Sequence, residues 1–457
     1  MNQGGHVNSK ENIFNASPWR AIAELCIPSL LSILVMMLYN MADMYFVAMS
    51  RDLKQVAAVS LAMPVFTFMM AISTMIGNGG CTKIAQALGQ GDGEKVRQYS
   101  ALCFWASVGF GLLFALFCFG FQRPLLGFLG TSEETYAYTR SYLLILAAGA
   151  PMILLNHSLG GMLRGEGLVR VGLAAHMIST FANILLDPLF ILVLKQGVAG
   201  AAIATVLGNV IAVVYVMLYR ARHRDRCVIE LRPIYAKDFA MLGAVLALGL
   251  PNAISSTLSG LAGTFSNQLL VGYGTDAVAA MAAAGKAVML VTMVQMGITM
   301  GVQPLLAYCY GGKDWEKLRD IVLRVLFLTL ALGVLLSLGI WVAREWAIGL
   351  FIKEPAAAAL GVRQVGYMLL MGPVIGLYYL ASNFLQAAGN APAASLSSAL
   401  RQGLLLIPLL YLMERLCGLI GLALAHTAAD GLSILLTGVM AIVYFRKTIS
   451  GTQKRTA

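Results

Sequence analysis

The run GDGEKV at residues 91–96 recurs about 222 positions later as GKDWEKL at residues 312–318. Flanking segments repeat at nearly the same spacing, so that GVAGA at 197–201 corresponds to GLIGL at 418–422. Each copy is about 220 residues long and is almost wholly apolar between such turns. Two apolar halves in the same orientation predict a membrane protein built by duplication, an architecture that secondary transporters use.

The composition supports a membrane location. Of the 457 residues, 59% are hydrophobic and only 12% are charged, whereas a soluble globular protein carries about 25% charged residues. Such a chain cannot cover a water-facing surface, so most of its exterior must face lipid. The net charge of +11 does not indicate nucleic-acid binding, because the basic residues are spread over short loops.

The sequence has none of the common enzyme motifs: no Walker-type phosphate loop, no G-x-S-x-G and no H-E-x-x-H. Its seven Cys have no C-x-x-C spacing and nearly all lie in or beside apolar runs, which predicts buried thiols rather than disulfides or a metal site. The chain is therefore not expected to be an enzyme or to hold a cofactor. The first apolar run is too long for a cleaved signal and is expected to remain as an anchor.

Twelve apolar stretches are long enough to cross a bilayer, which requires about 20 residues per helix. We expect an all-α membrane protein with twelve transmembrane helices in two six-helix lobes, related by the internal parallel repeat. The stretches are 19–48, 56–82, 98–121, 137–163, 168–194, 198–220, 239–272, 277–307, 321–343, 363–387, 393–413 and 418–445. The expected divisions are a cytoplasmic N-terminal tail (1–18), an N-terminal lobe (19–220), a cytoplasmic interlobe loop (221–238), a C-terminal lobe (239–445) and a cytoplasmic C-terminal tail (446–457).

The distribution of Lys and Arg predicts the orientation. Twelve helices put both termini on one side, and that side holds 22 of the 32 basic residues; the opposite side holds nine, and Lys286 lies within an apolar run. Because cytoplasmic loops carry the excess of Lys and Arg, both termini are expected in the cytoplasm. The expected location is the plasma membrane, the inner membrane of a bacterium.

Strong polar groups inside the apolar stretches are the candidates for chemistry, because a charge at membrane depth costs about 2.5–3.5 kcal/mol. Asn183 and Asp187 are four residues apart and therefore share a helix face. Pro188 has no N–H, which leaves the carbonyl of Ile184 without its helical partner. Carboxylate, amide and carbonyl oxygens together suit Na⁺ or a shielded proton.

Asp43 and Thr205 are predicted at a depth similar to that of Asp187. At 1.5 Å per residue all three lie roughly 7–11 Å below the outer surface, so they fit one layer of the membrane. Two plainer interpretations stay open: Asp43 as an interfacial acid near a helix end, and Asp187 as an ordinary acid beside a proline.

Further polar residues are candidates for the wall of a substrate cavity: Tyr39, Asn156, Gln268 and Lys286. Lys286 also has a structural interpretation, as a snorkelling or paired side chain. Arg401, inside the eleventh stretch, is expected to reach the cytoplasmic interface by snorkelling.

The sequence resembles the multidrug and toxic compound extrusion (MATE) family over nearly its whole length, and most of all the family's bacterial antiporters. The most specific segment runs from NILLDPLF at 183–190 to GVAGAAIAT at 197–205. The other segments are YNMADMYF at 39–46, ALGQGD at 87–92, LRGEG at 163–167, QPLLAY at 303–308, FLQAAG at 384–389, RQG at 401–403 and IPL at 407–409.

The resemblance implies a V-shaped bundle of two lobes and cation-coupled export of amphiphilic, often cationic compounds by alternating access. One branch of the family holds a cation through residues that fall here on Asp43, Asn183, Asp187 and Thr205. The coupling ion would be Na⁺ or H⁺, with no other metal and no cofactor. The implied partners are small amphiphilic molecules and membrane lipid, and the protein is expected to be a monomer.

The second half does not repeat the acids of the first. Aligning the halves puts Ser266 opposite Asp43 and Ile407 near Asp187, so coupling is expected in the first half alone. The alternative function is a lipid-linked oligosaccharide or lipid flippase on a related two-lobe scaffold. A flippase would be expected to have more helices or a cationic groove, and the sequence offers only Lys286 for the latter.

Overall fold

The computed structural model describes the backbone of residues 13–49, 53–223, 227, 229–232 and 239–456. Within these ranges, the side chains of residues 36–49, 53, 192, 239 and 449–456 lie outside the described part. Every regular element of the described residues is a helix.

The described residues of the first half form seven α-helices. They are α1 (Pro18–Met49), α2 (Leu53–Gly89), α3 (Gly93–Gly120), α4 (Gln122–Phe128), α5 (Glu133–Gly165), α6 (Val169–Pro188) and α7 (Gly197–Arg222). A short 3₁₀ turn, Ile13–Asn15, precedes α1, and a π-helix, Leu189–Val193, continues α6.

In the second half, nine α-helices lie within the described ranges. They are α8 (Phe239–Val271), α9 (Thr275–Gly311), α10 (Trp315–Val342), α11 (Arg344–Gly349), α12 (Pro355–Met368), α13 (Ile375–Ala387), α14 (Ala391–Ala399), α15 (Leu406–Cys417) and α16 (Leu419–Thr456). A 3₁₀ segment, Leu369–Met371, follows α12, and a π-helix, Leu400–Leu404, joins α14 to α15.

The predicted number of spans is confirmed in the described residues, with one irregularity. Eleven helical segments are long and apolar enough to cross a membrane, and a twelfth span is the pair Pro355–Met371 and Ile375–Ala387, which is bent by 47°. Pro373 lies in the break between them. Because proline has no N–H and its ring clashes with the preceding turn, it ends the first helix of the pair.

The repeat seen in the sequence is also present in the backbone. Asp92 accepts a hydrogen bond from the Lys95 N–H (3.0 Å), and Asp314 accepts one from the Lys317 N–H (3.1 Å). These two N-caps start α3 and α10, and each satisfies a backbone donor that has no partner within its helix. The same turn therefore starts an equivalent helix in each half.

The chain forms two compact units of similar size. The first unit contains residues 1–16 and 31–249, and the second contains residues 17–30 and 250–457. The start of α1 thus belongs to the second unit, and the start of α8 belongs to the first. The lobe boundaries drawn from the sequence stay a prediction.

Two equivalent glycines allow close packing of helices within the units. In the first unit, a Cβ atom at Gly79 of α2 would overlap the carbonyl of Val245 of α8. In the second unit, a Cβ atom at Gly301 of α9 would lie 2.8 Å from the Cα of Cys26 of α1. Small residues at such crossings let helix backbones approach in a membrane, where packing rather than water drives association.

The thiols are buried, as the sequence predicts. Six of the seven Cys are buried and free, and Cys417 at the end of α15 is exposed. Cys227 and Ile229, in the segment between the halves, belong to the core of the first unit together with residues of α2, α3, α5 and α7. These two residues are thus held against the first unit.

Candidate functional site

Asn183 and Asp187 lie one turn apart on α6, and both are buried in the first unit, with 2% and 0% of their surface exposed. Thr205 on α7 is buried beside them. With its amide oriented to satisfy both neighbours, Asn183 donates to Asp187 Oδ2 at 3.0 Å and accepts from the Thr205 N–H at 3.1 Å. In the opposite orientation the amide oxygen would face only acceptors and the amide nitrogen only donors. The structure therefore brings these three predicted site residues together.

The hydroxyl of Thr205 adds a further oxygen to this group. It donates to the carbonyl of Ala201 at 3.0 Å and lies 3.3 Å from the Asn183 amide. A hydroxyl that donates in one direction still has a lone pair for another ligand. The group thus combines a carboxylate, an amide and a hydroxyl at one place in the unit.

The backbone beside Asp187 is irregular. Pro188 is the last residue of α6, and the chain continues as the π-helix Leu189–Val193, in which Leu194 donates to Leu189. Pro188 cannot donate to the carbonyl of Ile184, and π-helical turns within α-helices are frequent at functional sites. An acid, a freed carbonyl and a widened turn therefore occur within one short stretch.

The group continues as a chain of hydrogen bonds through the first unit. Asn209 on α7 donates to the carbonyl of Thr205 at 2.8 Å, and Asn156 on α5 donates to Asn209 Oδ1 at 2.9 Å. Both asparagines are buried. Asn156, predicted in a cavity wall, thus lies in this buried chain, which connects α5 and α7 to Asp187 on α6.

Of the other predicted site residues, two have side chains outside the described part and two lie in the second unit. Asp43 and Tyr39 lie on α1, but their side chains are outside the described residues. Gln268 on α8 and Lys286 on α9 belong to the second unit, and both are exposed. The ammonium of Lys286 lies 5.3 Å from the centroid of the Phe351 ring, a cation–π contact.

The second unit contains a charged group that the sequence reasoning missed. Arg401 donates to Asp430 Oδ1 at 2.7 Å and to the Tyr379 hydroxyl at 3.1 Å. The guanidinium of Arg401, for which the sequence suggested snorkelling to the interface, is bound by this acid. Asp430 carried the same signal as Asp187, an acid inside an apolar stretch, and could have been found by it.

The similarity to known proteins covers both copies of the internal repeat. The MatE family model matches residues 28–189 and 251–412, once in each half. The multidrug export protein MepA of Staphylococcus aureus (strain MRSA252) is 27% identical over 432 residues, which cover 94% of this chain and 95% of that protein. MepA of Staphylococcus saprophyticus subsp. saprophyticus is 26% identical over 430 residues, which cover 94% of each chain.

The fold has a close counterpart among solved structures. A crystal structure of MATE in the bent conformation matches with a TM-score of 0.89 at 22% sequence identity, and covers 96% of this chain and 98% of that chain. This likeness shows the fold.

Proposed function

Because the chain belongs to the MATE family, we propose that it is a cation-coupled antiporter that exports amphiphilic, often cationic compounds by alternating access. The coupling ion is Na⁺ or H⁺, bound at Asp187 with Asn183 and Thr205. Asp43 on α1 completes the proposed site.

The substrate class is supported by the relatives. Proteins that match 94% of this chain are named multidrug export proteins. The match covers both repeats and not a single module, so the comparison concerns the whole transport scaffold. The flippase alternative has no comparable support.

The observation that carries the proposal is the burial of Asp187 next to neutral hydrogen-bonding groups. A carboxylate within the membrane is costly to ionise, and the hydrogen bond from Asn183 offsets part of that cost. Binding of Na⁺ or a proton neutralises the acid. The oxygens around it are the ligand type that hard cations prefer.

Neutralisation gives this site a way to affect the helices. Asn183 and Asp187 lie on α6 and Thr205 lies on α7, so a cation among them changes the attraction between these two helices. In the proposed cycle, the outward-facing state takes up the cation and releases the exported compound. The protein then turns inward, loses the cation and takes up new substrate.

The membrane potential contributes to this cycle. A single positive charge that moves inward gains about 2.3 kcal/mol per 100 mV. One cation could therefore support roughly a 50-fold substrate gradient at that potential if the substrate moves no net charge. We also propose that the protein works as a monomer in the bacterial inner membrane, with both termini in the cytoplasm.

The test uses purified protein in liposomes, a fluorescent cationic dye, and an imposed gradient of Na⁺ or of pH. We expect the gradient of the coupling ion, Na⁺ or H⁺, to drive dye transport by the natural protein, and Asp187→Asn to abolish the driven component. Asp276→Asn, at an exposed position in the first turn of α9, is the matched control and should retain it. Full gradient-driven transport by Asp187→Asn would overturn the cation site.

A further inference from the structure

The charged group of the second unit is built around Arg401, on the π-helix Leu400–Leu404. Its guanidinium is held by Asp430 on α16 and by the Tyr379 hydroxyl on α13. The guanidinium carbon also lies 5.0 and 5.1 Å from the ring centroids of Tyr378 and Tyr379. An ion pair, a hydroxyl and two aromatic faces thus fix one cation in place.

This group is mostly withdrawn from solvent. Only 12% of the Arg401 side chain and 20% of the Asp430 side chain are exposed. At such burial, removing one partner of an ion pair leaves an uncompensated charge, which is far more costly than removing both. The Asp430 carboxylate therefore requires a cation, and Arg401 supplies it from the same chain.

The register of the repeat relates this group to the hydrogen-bond chain of the first unit. Gly167 and Gly389 both have a positive φ, of 82° and 85°. Gly197 and Gly418 also both have a positive φ, of 55° and 59°. Counted from these turns, Asp430 corresponds to Asn209, which accepts from Asn156 in the first unit. The duplicated position thus carries a neutral amide in the first half and an acid in the second.

We propose that Asp430 is a second cation site, whose cation is the tethered side chain of Arg401. The second half is consequently insensitive to Na⁺ and to protons at this place. Removal of Arg401 uncovers a site for a monovalent cation or a proton, with the Asp430 carboxylate and the Tyr379 hydroxyl as ligands. The proposal does not depend on which ion, if any, binds at Asp187.

Other titratable groups lie on the helices that pack against α16 and on α16 itself. Besides Tyr378 and Tyr379 of α13, those with described side chains are Arg363 and Tyr367 of α12, Tyr411, Glu414, Arg415 and Cys417 of α15, and His426, Tyr444, Arg446 and Lys447 of α16. A response to pH or Na⁺ in one variant alone would not separate Asp430 from these groups. The test therefore compares two variants that share all of them.

The experiment compares Arg401→Gln with the double variant Arg401→Gln/Asp430→Asn, as purified full-length protein. The melting temperature is measured in NaCl and in choline chloride, at pH 6 and at pH 8. We expect Arg401→Gln to gain about 5 °C on addition of Na⁺ or on acidification, beyond any change in the double variant. Arg401→Lys keeps a tethered cation and should behave like the natural protein.

Identical responses of the single and double variants to Na⁺ and pH would overturn the proposal. If Arg401→Gln folds only in NaCl or at pH 6, while the double variant folds in all four conditions, the proposal is supported. If both variants fail to fold in every condition, the group is a structural clamp and the proposal is wrong.

Discussion

Gly79 and Gly301 stand at equivalent positions of the two repeats, and each lies where a Cβ atom would press into the backbone of a neighbouring helix. The first meets α8 and the second meets α1. Backbone atoms cannot move aside as the end of a flexible side chain can. The two glycines therefore allow close helix crossings in their respective units.

Gly79→Ala is expected to destabilise the protein, because the added methyl group must push α2 away from Val245. Overpacking of this kind costs about 1–3 kcal/mol, which should lower the melting temperature by several degrees. The control is Gly109→Ala on α3, where the methyl group meets nothing within 4 Å and alanine is the better helix former. Equal melting temperatures of the two variants would contradict the assigned contact.

Asn183→Ala is expected to strengthen proton binding at the proposed site, because the ionised Asp187 loses the amide that donates to it. A hydrogen bond to a charged group contributes about 1.5–3 kcal/mol, so the half-saturating proton concentration for dye transport should fall roughly tenfold or more. Thr180→Val, at a buried position one turn earlier on α6, serves as the control. An unchanged half-saturating concentration in Asn183→Ala would show that Asn183 takes no part in cation binding.

The segment between the halves is expected to be held by burial more than by its ion pair. Ile229 is buried in the first unit, and Ile→Ala at such a site costs about 2–5 kcal/mol. Arg232 bonds to Glu94 at 2.6 Å, but 60% of the Glu94 side chain is exposed, and exposed pairs contribute about 0–1 kcal/mol. Ile229→Ala should therefore increase protease cleavage of this segment much more than Glu94→Gln. If Glu94→Gln increased the cleavage more than Ile229→Ala, the ion pair would contribute more than burial to holding this segment.

Cys227 and Cys417 are expected to differ sharply in reactivity. Burial, aided by the nearby Glu166, raises the pKa of Cys227 to about 12. Because only the thiolate reacts, roughly one thiol in ten thousand is ionised at pH 8. Cys417 is exposed at the end of α15. Labelling with a maleimide at pH 8 should therefore modify Cys417 first and Cys227 only after unfolding.

Labelling of Cys417 also tests the predicted orientation of the protein in the membrane. If both termini are cytoplasmic, the turn between α15 and α16 faces the outside, and a membrane-impermeant maleimide added to intact cells should label Cys417. Cys417→Ala is the control and should remove the signal. Labelling that appears only after the cells are opened would reverse the orientation.

The sequence predicted those features that depend on local pattern. Asp92 and Asp314 were recognisable as repeated turns, and the four-residue spacing of Asn183 and Asp187 placed both on one face of α6. Apolar length predicted the number of spans. It did not predict the bend of the span around Pro373, because hydropathy measures length and composition rather than direction.

The local sequence pattern did not predict features that depend on tertiary contacts. Arg401 and Asp430 are 29 residues apart, and only the packing of the π-helix against α16 joins them. Asn156 and Asn209 are likewise joined only by the packing of α5 against α7. A π-helix inserts one extra residue into a helical turn. Counting apolar residues does not reveal such an insertion, so neither π-helix of the described residues was predicted.

The start of α1 belongs to the second compact unit and the start of α8 belongs to the first. This assignment has an evolutionary consequence. A single repeat, if it once existed as a separate chain, would have had the start of its first helix in the compact unit of a second, identical copy. Such an ancestor would have been an obligate homodimer with a swapped segment. Gene fusion would then have added only the connecting segment, and would have freed each copy to change on its own. That freedom is visible in the present chain, where one half has Asn209 and the other has Asp430.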